Sequence, residues 1–208
     1  AIWREIMSAC LALESPQRVA VLGPEGTFCE QAAVEYFGGA ADLIYCAISG
    51  FGQDGPYRDK PAYDQIVQGL SGAMATTGDA QSGPLRAGYP ISDTVAGLNA
   101  AFAIAAALLQ REREPSAGRG GQLIDVSMLD ATLSIMGWAT SNWLIAGQKP
   151  VLMGNDNFTA SPSGSFRVAD GLINVAANQQ AQFEALCRAI GRPELIAEPG
   201  FADPEARL

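Results

Sequence analysis

Asp93 is the residue in this chain best placed to do chemistry. It ends the stretch Arg86-Ala-Gly-Tyr-Pro-Ile-Ser-Asp93 and is followed by an uncharged run from Thr94 to Gln110. Pro90 cannot sit inside a helix and Ser92 is a favoured cap. The spacing therefore predicts a helix that starts at Ser92 or Asp93 and runs to Arg113. Asp93 falls in its first turn, where unpaired N–H groups and the positive dipole end stabilise a carboxylate. Such a carboxylate serves either as a cap or as a nucleophile towards an activated acyl group, and the local pattern leaves both open. Leu98-Asn-Ala-Ala-Phe-Ala-Ile-Ala-Ala-Ala-Leu-Leu109 is apolar on nearly every face. A helix of that kind is expected in the middle of a packed domain. As an uncharged run it is shorter than a typical membrane span.

The composition narrows the chemistry further. The 208 residues contain no histidine, which removes Ser-His and Cys-His dyads and leaves carboxylates, hydroxyls and thiols. Cys10, Cys29, Cys46 and Cys187 are scattered without a CxxC pair and read as reduced, mostly buried thiols. A net charge of −9 argues against nucleic acid as a partner. It also means that any anionic ligand must be held by local Arg, Lys or N–H groups against an unfavourable overall field. No signal-peptide pattern opens the sequence, so a cytoplasmic location and no membrane partner are expected.

The elements that must position Asp93 follow from apolar runs and their punctuation. Ile2 to Leu13 has helical spacing, Arg18–Leu22 reads as a buried strand, and Cys29 to Phe37 as a short helix after a Gly-rich turn. Leu43 to Ser49 is a second buried strand. The loop Gly50 to Pro61, with Gly50, Gly52 and Gly55, has the makeup of a ligand loop after a strand end, or of plain turn punctuation. Tyr63-Asp-Gln-Ile-Val-Gln-Gly-Leu opens a helix that Ser71-Gly72 closes. Gln122 to Ser127 is a strand and Met128 to Ile145 a largely apolar helix, with Met128 in the core. Gly147 to Ser163 is rich in Gly, Pro, Asn and Ser and reads as a linker. A hairpin with an Asp170-Gly171 turn and an amphipathic helix from Gln179 to Ile190 follow.

Several of these stretches resemble family III CoA-transferases, the formyl-CoA and carnitine CoA-transferase group. The resemblance is carried by Ile48 to Gly72, Thr76-Thr-Gly78, Gly88-Tyr-Pro-Ile-Ser-Asp93, Gly97 and Gly118-Arg-Gly-Gly-Gln-Leu-Ile-Asp-Val-Ser-Met-Leu-Asp-Ala131. It covers about residues 43 to 208. It implies an α/β fold: part of a Rossmann-like large domain over 43–146, a linker over 147–163, and the start of a smaller α+β domain over 164–208. It implies Asp93 as nucleophile, Tyr63 lining the acyl pocket, and Met128, Gly50 and Gly52 near the CoA chain. On its own residues, Tyr63 reads equally well as half-buried core with a bonded hydroxyl. The implied reaction moves CoA between an acyl-CoA and a small carboxylic acid through aspartyl anhydride and aspartyl-CoA thioester intermediates. Coenzyme A is then a substrate and no cofactor is needed. The family forms interlocked homodimers, so a homo-oligomer is implied.

Residues 1–42 carry a different resemblance. Val19 to Ala33 is similar to the opening of a prephenate dehydratase domain, and Ile2 to Glu14 to the last helix of the chorismate mutase domain fused before it in bifunctional P-proteins. The chain thus reads as a remnant of one enzyme joined to an internal section of another. The alternative to an active transferase is a truncated, non-catalytic fragment that acts only by association, with prephenate dehydratase as a distant third.

Overall fold

The computed structural model describes residues 18–22, 42–113 and 122–208. The chain divides into two compact units, one of residues 1–73 and 86–149 and the other of residues 74–85 and 150–208.

The first unit is built on a parallel sheet of order β1-β2-β3, with β1 at Arg18–Leu22, β2 at Asp42–Ser49 and β3 at Gln122–Ser127. The register sets Val21 beside Tyr45, and Ile44 beside Gln122. The apolar run of β2 occupies the centre, and Ile44, Cys46 and Ala47 are buried. Between β2 and β3 the chain forms helix α1, Asp64–Ser71, and helix α2, Ile91–Arg113. Gly72 closes α1 at φ +85, a conformation open to glycine at little cost. Cys46, Val67, Ala96, Ala100, Val126, Met128 and Ala131 make one apolar cluster.

Helix α2 departs from expectation in three ways. It begins at Ile91, directly after Pro90, whose carbonyl accepts the Thr94 N–H at 3.0 Å, so Ser92 lies inside the helix and not at its cap. The Ser92 side chain is fully buried and its hydroxyl has no hydrogen-bond partner. The helix is also only half enclosed. Ser92, Ala96, Ala100, Ala107 and Arg111 form the buried stripe, and the serine and alanines in it let the helix lie close on β2 and β3. Leu98, Phe102 and Leu109 on other faces are exposed, Phe102 at 77%. The described residues supply neighbours for one face alone. Finally, it is 23 residues long and an 18-residue stretch of it has mean hydropathy 1.5, long and apolar enough to cross a membrane, unlike the uncharged run by itself. Its stripe is nevertheless packed on the sheet.

The single helix expected from Met128 to Ile145 is two: α3, Met128–Ile135, and α4, Trp138–Ala146. Gly137 at φ +53 breaks the hydrogen-bond ladder between them. Ser127 caps α3, its side chain accepting from the Asp130 N–H at 3.2 Å.

The second unit contains the antiparallel hairpin of β4, Ser163–Val168, and β5, Gly171–Ala176, followed by α5, Gln180–Ala189. The hairpin turns through Ala169-Asp170, and Gly171 pairs with Val168 as the first residue of β5. Buried Arg207 fastens this unit. Its Nε donates to the Ser161 carbonyl at 3.1 Å, its Nη1 to Gln180 Oε1 at 2.8 Å, and its guanidinium lies 4.2 Å from the Phe183 ring centre. The helices expected at Ile2 to Leu13 and Cys29 to Phe37, and the turn before Gln122, lie outside the described residues.

Candidate active site

An open cavity of about 350 Å³ lies where the start of α2 meets the start of α1. Tyr63, Asp64, Gln65, Arg86, Gly88, Tyr89, Pro90 and Asp93 line it. Two of the residues singled out from sequence, Asp93 and Tyr63, are therefore brought together. Tyr63 is 76% exposed, which overturns the reading of it as a half-buried core residue with a bonded hydroxyl. Asp93 is exposed in the first turn of α2, and no hydrogen bond or ion pair engages its carboxylate among the described residues. A carboxylate so placed is stabilised by the helix dipole and left accessible.

Two residues that local sequence reasoning passed over hold this arrangement. Asp64 Oδ1 accepts the Ser92 backbone N–H at 2.8 Å, so the α2 start is capped from α1 and not by its own serine. The other oxygen, Oδ2, accepts from Gln68 Nε2 at 2.6 Å. Gln68 is 1% exposed, and its Oε1 accepts the Ala87 N–H at 2.8 Å. Both ends of the segment Ala87 to Ser92 are thereby tied to one face of α1. Asp64 and Gln68 are four apart, one turn of helix, so their sharing of one helix face is readable from spacing, whereas the burial of Gln68 is not.

The remaining sequence-predicted residues lie elsewhere. Met128 is buried in the apolar cluster. The Gly50 carbonyl accepts the Leu129 N–H at 3.1 Å, and a Cβ at Gly50 would stand 2.3 Å from the Ala62 Cβ. Gly52 adopts φ +86, and a Cβ there would lie 3.3 Å from Asp125 Oδ2, which also accepts the Gln53 N–H at 2.8 Å. The glycines let this loop close over the carboxyl ends of β2 and β3, where parallel sheets commonly bind ligands. A second cavity, about 320 Å³, lies beside it and is lined by Asn99, Ala103 and Ile124 to Ser127 with Asp130 and Ala131. Burial raises the Cys46 thiol above its ordinary value, and the Asp125 carboxylate adds to the effect. Among the described residues, no group of three or more Cys, Asp or Glu could hold a metal ion.

Residues 40–208 match the model of CoA-transferase family III. Over 166 residues the chain is 37% identical to a succinate–glutarate CoA-transferase of Agrobacterium fabrum, covering 80% of this chain and 40% of the relative. Over 167 residues it is 40% identical to an acetyl-CoA:oxalate CoA-transferase of Acetobacter aceti, covering 80% and 42%. A crystal structure of a CAIB/BAIF family protein from Brucella suis superposes with a TM-score of 0.72 at 30% identity, covering 98% of this chain and 53% of that one. These matches give no support to the P-protein resemblance of residues 1–42. Most of that stretch lies outside the described residues, and β1 within it pairs with β2 in the same parallel sheet. The chain spans about 40% of the length of the curated relatives it matches. With 169 consecutive residues fitting one family model and the α/β fold shared, the chain belongs to CoA-transferase family III.

Proposed function

We propose that the protein of which this chain is a part transfers CoA from an acyl-CoA to a small carboxylic acid, with Asp93 as the nucleophile. The observation that carries this is the unengaged Asp93 carboxylate in the first turn of α2, lining one cavity with Tyr63. The carboxylate attacks the thioester carbonyl and the C–S bond breaks, giving an aspartyl–acyl anhydride and CoA thiolate. The thiolate attacks the aspartyl carbonyl and releases the first acid, leaving an aspartyl-CoA thioester. The carboxylate of the second acid attacks that thioester, and the returning thiolate takes the acyl group from the new anhydride. Asp93 is then regenerated. The helix dipole favours the anionic nucleophile between steps. Coenzyme A is a substrate throughout, and no further cofactor is invoked. Assembly as a homodimer belongs to the same proposal and is supported by the exposed apolar face of α2, which a partner would cover.

Intact-mass analysis after incubation with succinyl-CoA tests the nucleophile. An adduct of acyl or CoA mass, discharged by hydroxylamine and missing from Asp93→Ala, is expected. The same adduct on Asp93→Ala, or none on folded wild-type chain, would overturn the assignment for this chain.

A further inference from the structure

Among the described residues, a single cation lines the cavity beside Asp93. Of its lining residues only Arg86 is positive, against the carboxylates of Asp64 and Asp93. Asp64 is already compensated by the Gln68 amide and the Ser92 N–H. Arg86, in contrast, forms no ion pair among the described residues, and its one hydrogen bond there is a long 3.4 Å contact from Nη1 to the adjacent Ala87 carbonyl. That is unusual company for an arginine in a chain with 22 acidic and 13 basic residues. A free guanidinium offers a planar pair of donors suited to a carboxylate.

The chemistry of the transfer says which carboxylate it suits. The carboxyl group that reacts is anionic as the free acid and neutral as its CoA thioester, so it cannot hold one cation in both halves of the reaction. A second carboxylate on the same short chain stays anionic in both. We infer that Arg86 binds the non-reacting carboxylate of a short dicarboxylic acid and of its CoA half-ester, making it a specificity residue. Tyr63 and Tyr89 line the same cavity as Arg86 and Asp93, and aromatic side chains suit the methylenes of a short chain. This inference rests on the assignment of Asp93 as the reacting group.

Its first test needs no turnover. The isotope-labelled chain is titrated with glutarate and with valerate, which has the same number of carbons and one carboxylate, and the backbone amide shifts of Gly88, Tyr89 and Asp93 are followed. Glutarate is expected to bind at least about tenfold more tightly than valerate. Arg86→Gln should erase that preference and Arg86→Lys should keep part of it. Equal response to both acids, no response to either, or an intact preference in Arg86→Gln overturns the inference. The second test compares rates of Asp93 adduct formation from succinyl-CoA and butyryl-CoA. Arg86→Gln should slow the first by at least about tenfold more than the second. Equal slowing would assign Arg86 to CoA itself or to the fold, and would also overturn it. If wild-type chain forms no adduct with either ester, the nucleophile assignment fails while the titration still decides Arg86.

Discussion

The Asp64 carboxylate caps helix α2 from 28 residues before Ser92, its Oδ1 accepting the Ser92 N–H at 2.8 Å. Removing it strips α2 of that acceptor and orphans the buried Gln68 amide on the other oxygen. Asp64→Ala is expected to cost about 2–3 kcal/mol of stability, combining the loss of a cap with a buried unsatisfied donor. Asp64→Asn keeps one acceptor and should cost less. Urea unfolding of the three proteins checks this, and equal midpoints would mean the bridge contributes nothing.

Ser92 makes the opposite prediction. A serine acting as cap loses about 0.5–2 kcal/mol on change to alanine. Here the hydroxyl is buried without a partner, so its removal relieves an unsatisfied group. Ser92→Ala should be neutral or stabilising in the same unfolding experiment, and a loss above about 1 kcal/mol would restore the serine to the capping role.

How much of this was legible in the sequence depended on the range of the interaction. β2, β3 and the β4–β5 hairpin are apolar or alternating runs between Gly, Pro and Asp, and each forms within a residue of its expected bounds. The Ser92 cap was misassigned because local rules credit the nearest hydroxyl, whereas the acceptor comes from another helix. The break at Gly137 was hidden because a lone glycine in an apolar run is compatible with a continuous helix. Asp93 and Tyr63 were visible through their motifs. Gln68 was not, because a buried amide is recognisable only once both of its partners, Asp64 and the Ala87 N–H, are in place. The uniform apolarity of α2 predicted burial on all sides, and the described chain covers one.

Gly50 separates a ligand role from a steric one. A methyl group there would stand 2.3 Å from the Ala62 Cβ, far inside contact distance. Gly50→Ala is therefore expected to destabilise the ligand-free chain by about 1–3 kcal/mol, as overpacking does. Adding Ala62→Gly should recover most of that loss. A thermal melt of the single and double variants decides it. An unaffected single variant would mean that the loop yields freely.

Cys46 should be inert while the chain is folded. It is 1% exposed, and burial together with the Asp125 carboxylate disfavours its thiolate. At pH 8 it holds less of the reactive anion than a free cysteine with a pKa near 8.5. Iodoacetamide labelling followed by peptide mass spectrometry should find it modified far more slowly in buffer than in urea. Equal rates would show that the central strand opens readily.

The span of the contacts also sets an order of assembly. Ile44 of β2 pairs with Gln122 of β3, 78 positions away (122 − 44), whereas Gln68 reaches Ala87 across 19 and Asp64 reaches Ser92 across 28. Loop closure alone makes the strand pairing about 1 kcal/mol dearer in chain entropy than the Asp64–Ser92 bridge. The helix pair carrying Tyr63 and Asp93 can thus form early, from contacts close in sequence, while the β2–β3 pairing comes last. During that interval the facing edges of β2 and β3 are unpaired beside a helix with an uncovered face. Refolding yield should therefore fall with protein concentration, limited by how fast the sheet closes.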